Sequence, residues 1–145
     1  MKIGVLGGGG DQGSISVMDL VKQEDVNAVI VGDINPEKAQ ERFKDLNNDK
    51  LSVERVDVLD AEGLKNFMAK VDVVVNTTGP FYILGERVAE AAIEAKVGYV
   101  DICDDPEPTT RLLELHARAE SAGVTLIIGL GCTPGATNLM ALSAV

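Results

Sequence analysis

The chain has no tryptophan, and only two tyrosines and three phenylalanines. That leaves too little aromatic surface to stack successive nucleobases. Cations are also scarce: 13 Lys and Arg stand against 23 Asp and Glu, a formal net charge of −10. Such a surface repels nucleic acid and anionic membranes as a whole, so neither is an expected partner. Two cysteines, Cys103 and Cys132, are too few for a disulfide framework or a zinc site, and no metal is expected. No apolar run approaches the roughly 20 residues needed to cross a bilayer. No charged-then-apolar leader precedes a cleavage site, so the expected location is cytoplasmic.

What the chain does have is glycine, 15 in 145 residues, five of them within "GGGGDQG" at positions 7–13. Glycine is costly to order, so a run of this kind needs a reason. Short β-branched runs alternate with amphipathic stretches on either side of it. The strand candidates are Lys2–Leu6, Ala28–Gly32, Ser52–Val58, Asp72–Asn76, Tyr99–Ile102 and Val124–Ile128. "VDVVV" and "VTLII" are apolar on both faces, as strands of a parallel sheet covered on both sides must be.

The helical stretches lie between them. Ile15, Val17, Met18, Leu20 and Val21 form the expected inward face of the first. Asn35-Pro36 reads as an N-cap followed by proline at the first helical position, with Ala39, Phe43 and Leu46 inward. Asp60 caps a third helix that turns Leu64, Phe67 and Met68 inward. Val88, Ala91, Ala92 and Ala95 mark a fourth. Leu112, Leu115 and Ala119 mark a fifth, closed by Gly123. Five β-α units and a closing strand predict an α/β fold: a doubly wound parallel sheet, a Rossmann fold of six strands in the order 3-2-1-4-5-6. Residues 1–130 make that domain. Residues 131–145 make a Gly/Pro loop and a helix-compatible stretch, Ala136 to Val145, leading toward a second domain.

The glycines sit where strand one meets helix one. A helix start offers free N–H groups and partial positive charge, and an anion can settle there if no side chain intrudes. Gly8-x-Gly10-x-x-Gly13 matches the dinucleotide fingerprint, with Gly8 making the turn, Gly10 admitting the phosphates and Gly13 packing helix on strand. Gly7-x-x-Gly10-x-x-Gly13 fits the looser reductase spacing equally, and Gly9 belongs to neither. Asp11 and Gln12 complete the loop. Asp11 would repel phosphate if it pointed inward, so it is expected to face solvent or to cap the helix.

Asp33 ends the second strand, 20 residues after Gly13. An acid there accepts the ribose hydroxyls of an adenosine. Only Ile34 and Asn35 follow it, with no arginine, so NAD is preferred and NADP is the alternative. Asp57 and Val58 are candidates for the adenine wall, although an acid at a helix entrance serves as well to start the helix. Thr77, Thr78, Gly79 and Pro80 follow the fourth strand and fall near the pyrophosphate and the nicotinamide ribose.

Other chemistries are absent. Ser14 stands where an NTPase phosphate loop needs lysine, and neither Tyr82 nor Tyr99 has a lysine four residues on. His116 lies beside the apolar stripe of the fifth helix and reads as a boundary packing residue. The acids Asp101, Asp104, Asp105 and Glu107 suit a helix start better than a cation.

Three blocks carry a family likeness. "KIGVLGGGGDQG", "VVVNTTGPF" with "GERVAEAAIEAKVGYVDI", and "GVTLIIGLGCTPGATNLMA" together resemble the cofactor-binding domain of the saccharopine dehydrogenase family. The resemblance covers essentially the whole chain. It implies an NAD(P)-dependent oxidoreductase that makes or breaks carbon–nitrogen bonds through an imine, with an amino-acid-like substrate. It also implies a second domain that supplies much of the substrate site and pairs the protein as a homodimer. Asp101, Cys132 and Thr133–Gly135 are then expected to face the cleft. A non-catalytic NAD(H)-binding sensor uses the same glycines and Asp33 and is the competing reading. An empty Rossmann fold with a structural role is a third.

Overall fold

The computed structural model describes residues 1–144. Its sheet has six strands in the order β3-β2-β1-β4-β5-β6, and every neighbouring pair is parallel. The strands are β1 Lys2–Leu6, β2 Ala28–Asp33, β3 Leu51–Arg55, β4 Val73–Asn76, β5 Gly98–Asp101 and β6 Leu126–Ile127. The helices are α1 Asp11–Leu20, α2 Pro36–Phe43, α3 Ala61–Met68, α4 Phe81–Ala95, α5 Pro106–Glu114, α6 His116–Ala122 and α7 Thr137–Ser143. Cys132–Ala136, kinked at Thr133 where φ −133° and ψ 122° are not helical, precedes α7. No helix among the described residues is long and apolar enough to cross a membrane.

Alternation along β1 and β2 splits the core into two layers. Ile3, Val5, Val29 and Val31 pack with Val17, Val21, Ala39 and Phe43 on the side of α1 and α2. Leu6, Leu64, Phe67, Met68, Val88, Ala92 and Tyr99 pack on the other, under α3 to α6. The two predicted caps form: Asn35 Oδ1 accepts from Lys38 N–H and Asp60 Oδ1 from Glu62 N–H.

Several expectations give way. β3 stops at Arg55 rather than Val58, because Asp57 turns the chain: its Oδ1 accepts from Leu59 N–H and its carbonyl from Asp60 N–H. β6 is two residues long. The fifth helix is two, since Leu115 N–H bonds three residues back to Leu112 and tightens the turn. That places Leu112 and Leu115, three apart, both against the core. Ile15 and Met18 point outward, 60% and 41% exposed. α1 lies so close to the sheet at Gly13 that its buried face runs through Gly13, Ser14 and Val17 instead. His116 is exposed rather than at a packed boundary. The helix-compatible stretch runs into α7, but Val145 lies outside the described residues.

Candidate functional site

The carboxyl ends of β1, β2, β3 and β4 open onto a cleft of about 470 Å3. Its lining includes Gly10, Asp33, Ile34, Asp57, Val58, Thr77, Thr78 and Gly79 among the predicted residues, with Lys38 and Leu59 beside them. This is where a doubly wound sheet offers a crevice, at the point where strand order reverses on either side of β1.

The glycine loop is built from four different demands. Gly7 sits at φ +74°, a conformation that L side chains rarely adopt, so Gly7 makes the turn expected of Gly8. A Cβ on Gly8 would fall 2.9 Å from Val31 Cγ1, so Gly8 serves packing against β2. A Cβ on Gly13 would fall 2.5 Å from both the Gly7 carbonyl and Thr77 Oγ1, which is the close helix–strand contact foreseen for it. Gly9 is not a spare residue. Its N–H donates to Asp33 Oδ2 at 2.9 Å, and a Cβ there would collide with that oxygen and with Ala39.

Gly10 differs from these. A Cβ on it has only the Gly7 carbonyl within 4 Å, at 3.1 Å, and Gly79 across the cleft has nothing within 4 Å. Packing asks nothing of Gly79 and crowds a Cβ on Gly10 against one carbonyl only, and both line the cleft. The first helical bond of α1 runs from Ser14 N–H to the Gly10 carbonyl. The N–H groups of Asp11, Gln12 and Gly13 therefore precede the hydrogen-bond ladder, and bare backbone meets them at the cleft floor.

Asp11 leaves that corner. Its carboxylate, 90% exposed, pairs with Arg42 Nη2 at 2.8 Å. It caps nothing, since α1 has Gly10 as N-cap with no side-chain bond. Arg42 also donates to Ser14 Oγ at 2.8 Å and to the Gly10 carbonyl at 3.3 Å. The loop's one acid is thus matched by a cation from α2, and repulsion of an incoming phosphate is offset. Gln12 does not line this cleft. It lines a second one of about 380 Å3 with Phe81, Ile102, Asp104, Gly131, Cys132 and Thr133. Pro80 lies outside both linings, as N-cap of α4.

Asp33 is held by two backbone donors, Gly9 N–H on Oδ2 and Asn35 N–H on Oδ1 at 3.0 Å. The expected preference for NAD requires an Asp33 without cationic neighbours, and Asp33 is not without them. Lys38 lines the same cleft, and Arg55 is the in-register neighbour of Asp33 on β3. Neither follows Asp33 directly in sequence; the turn into α2 and the pairing of β3 bring them there. Val58 is largely buried, whereas Ile34 and Leu59 expose 62% and 58% of their surface beside the cleft and offer the apolar faces for a flat ring. Asp57 lines the cleft while its Oδ1 holds the turn. The Thr77 hydroxyl donates to the Leu6 carbonyl and that of Thr78 to Asn76 Oδ1, so each hydroxyl has its proton already committed.

Asp101 does not face the cleft. It is fully buried; its Oδ2 accepts from the Tyr99 hydroxyl at 2.8 Å, and its Oδ1 from Gly129 N–H at 2.8 Å and Cys103 N–H at 3.1 Å. Asn76 Nδ2 donates to the Tyr99 oxygen at 3.2 Å. Burial, reinforced by the Asp101 charge, raises the Tyr99 hydroxyl well above its ordinary pKa. A Cβ on Gly135 would meet the Gly129–Leu130 backbone at 2.9–3.1 Å, so glycine there serves close packing of the loop, while Cys132 and Thr133 line the second cleft. Cys103 is buried, which raises its thiol pKa, and Cys132 is exposed at the second cleft.

A parallel sheet reversing at β1, a glycine-bared helix start and an acid pinned at the end of β2 define a dinucleotide-binding Rossmann domain. The chain belongs to the family described as the saccharopine dehydrogenase NADP binding domain, which matches residues 3–127. It is 29% identical over 127 residues to the alpha-aminoadipic semialdehyde synthase of Arabidopsis thaliana, covering 88% of this chain and 11% of that protein. A lipid droplet localized protein of Caenorhabditis elegans is 29% identical over 94 residues, covering 64% of this chain and 22% of that one. The chain therefore spans less than a quarter of these relatives. In fold it matches the apo saccharopine dehydrogenase (L-Glu forming) of Saccharomyces cerevisiae with a TM-score of 0.83 at 24% identity, over 99% of this chain and 30% of that one. The fold class and the family resemblance expected from the sequence both hold.

Proposed function

We propose that this domain holds a nicotinamide dinucleotide for an oxidoreductase acting on an amine or imine derived from an amino acid. The observation that carries the reading is the pair of glycines that line the cleft, Gly79 with nothing near a Cβ and Gly10 with only the Gly7 carbonyl near one. Gly10, with the N–H groups opening α1, would hold the pyrophosphate. Asp33 would accept from the adenosine ribose, and Ile34 and Leu59 would flank the adenine, with Asp57 at its edge. Thr77, Thr78 and Gly79 would carry the chain of contacts toward the second cleft, where Gln12, Phe81 and Cys132 stand. The bound nicotinamide supplies the acceptor or donor of hydride. The residues present here would bind and orient it, Gly10 and the start of α1 at its phosphates and Asp33 at its adenosine ribose.

The substrate, its proton carrier and the dimer contact belong to a second domain in this reading, so the 145-residue chain alone binds cofactor without turnover. The cytoplasmic location stays part of the same proposal. The family and the name of the Arabidopsis synthase support an amino-acid substrate. The test is a longer chain containing this domain, assayed for reduced-cofactor oxidation with 2-oxo acids or aldehydes plus amino acids. Turnover supports the enzyme. Tight dinucleotide binding with no turnover across a broad amine panel favours the sensor reading.

A further inference from the structure

The first turn of α2 carries a charge that the cleft does not yet use. Lys38 is the one cation among the described residues lining it. Arg42, one turn further along α2, is already engaged by Asp11. Lys38 forms no ion pair among the described residues. Its backbone N–H donates to Asn35 Oδ1 at 2.9 Å, which fixes the helix start beside Asp33. Arg55 lies in register with Asp33 on the neighbouring strand, so both side chains leave the sheet on the same face.

Asp33 itself is less free than an acid that grips two ribose hydroxyls. One oxygen holds Gly9 N–H and the other Asn35 N–H. The pinned carboxylate therefore has a backbone donor on each oxygen, a cation on the adjoining helix and another on the adjoining strand. The opening of α2 adds its partial positive charge. A bare acid repels a phosphate monoester at this place; here Lys38 and Arg55 offset the charges of Asp33 and Asp57.

We propose that Lys38 selects 2′-phosphorylated dinucleotide, its ammonium pairing with the 2′-phosphate of NADP(H), with Arg55 adding to the local potential. The assignment rests on the dinucleotide reading above and deepens it. An ammonium on a phosphate dianion, partly exposed, is worth about tenfold to a hundredfold in affinity. The lysine stem is exposed and supports no packing, so removing its charge leaves the fold alone.

The experiment titrates the 145-residue chain with NADPH and NADH, and separately with 2′,5′-ADP and 5′-AMP, which probe the adenosine end alone. Lys38→Met is measured beside the parent at low and high salt, with melting temperature as the control for folding. The expected result is a parent preference for NADPH and 2′,5′-ADP of at least about tenfold. In the variant that preference collapses, NADH affinity stays within about twofold, and the salt dependence of NADPH binding becomes shallower. Equal loss of NADPH and NADH in the variant, no loss of either, or a parent that prefers NADH overturns the role of Lys38 while leaving the dinucleotide reading intact. A parent that binds none of the four overturns both.

Discussion

Gly9 N–H donates to the Asp33 carboxylate at 2.9 Å, joining the glycine loop to the end of β2 across 24 residues of chain. The acid thereby holds the loop from the place proposed for the ribose. A side chain at Gly9 is excluded on two counts: its Cβ would fall 2.8 Å from Asp33 Oδ2 and 2.9 Å from Ala39 Cβ. Gly9→Ala is expected to destabilise the domain by about 1–3 kcal/mol, the usual cost of overpacking. It should also weaken dinucleotide, because Asp33 must move. Thermal melting and a binding titration on the same sample check both effects; an unchanged melting temperature with unchanged affinity would show that the Gly9–Asp33 contact is not rigid.

Gly10→Val separates binding from folding. Gly10 has extended backbone, φ −75° and ψ 174°, which valine adopts without strain, and its Cβ would meet only the Gly7 carbonyl. Valine is a poorer N-cap, so a loss of stability of roughly 1 kcal/mol is expected. Binding should suffer far more, since the branched side chain would stand over the free N–H groups of α1. The expected outcome is a melting temperature within a few degrees of the parent and no measurable dinucleotide binding. Affinity retained in a calorimetric titration would place the phosphates elsewhere.

These two glycines also show what was legible in the sequence. Short β-branched runs and the Asn35-Pro36 and Asp60 caps are local signals that place strands and helices, and the repeated β-α succession gives the sheet its order. The glycine motif located the loop, but the duties within it are tertiary: which Cβ meets Val31, Ala39 or Thr77 depends on β2, α2 and β4. Lys38 and Arg55 were missed for a related reason. No cation follows Asp33 along the chain, while the fold supplies one from the first turn of α2 and one from the next strand. Asp101 misled in the opposite direction. An acid at a strand end reads as a cleft residue, and only the packed structure reveals that Tyr99, Cys103 and Gly129 turn it inward as donors to a buried carboxylate. Ile15 and Met18 have the hydrophobicity of core residues, but the close approach at Gly13 rotates them outward.

The buried link between Tyr99 and Asp101 makes stability sensitive to alkali. In the folded chain the Tyr99 hydroxyl keeps its proton well beyond its ordinary value of 10.0, because burial and the neighbouring carboxylate disfavour the phenolate. Cys103 behaves alike, its thiol raised above 9.0 by burial. Above those values the unfolded chain releases protons that the folded chain retains, so the native state binds more protons and stability falls as pH rises. Below about pH 9 the contribution is complete. Tyr99→Phe should cost about 1–3 kcal/mol near neutrality, because Asp101 Oδ2 and Asn76 Nδ2 lose their shared partner. It should also flatten the decline between roughly pH 10 and 11.5, leaving the part that begins near pH 9 to Cys103. Denaturant midpoints across that range, for parent and variant, provide the comparison. Parallel slopes above pH 10 would mean that the folded hydroxyl ionises as freely as the unfolded one and that the Asn76–Tyr99–Asp101 chain is open to solvent.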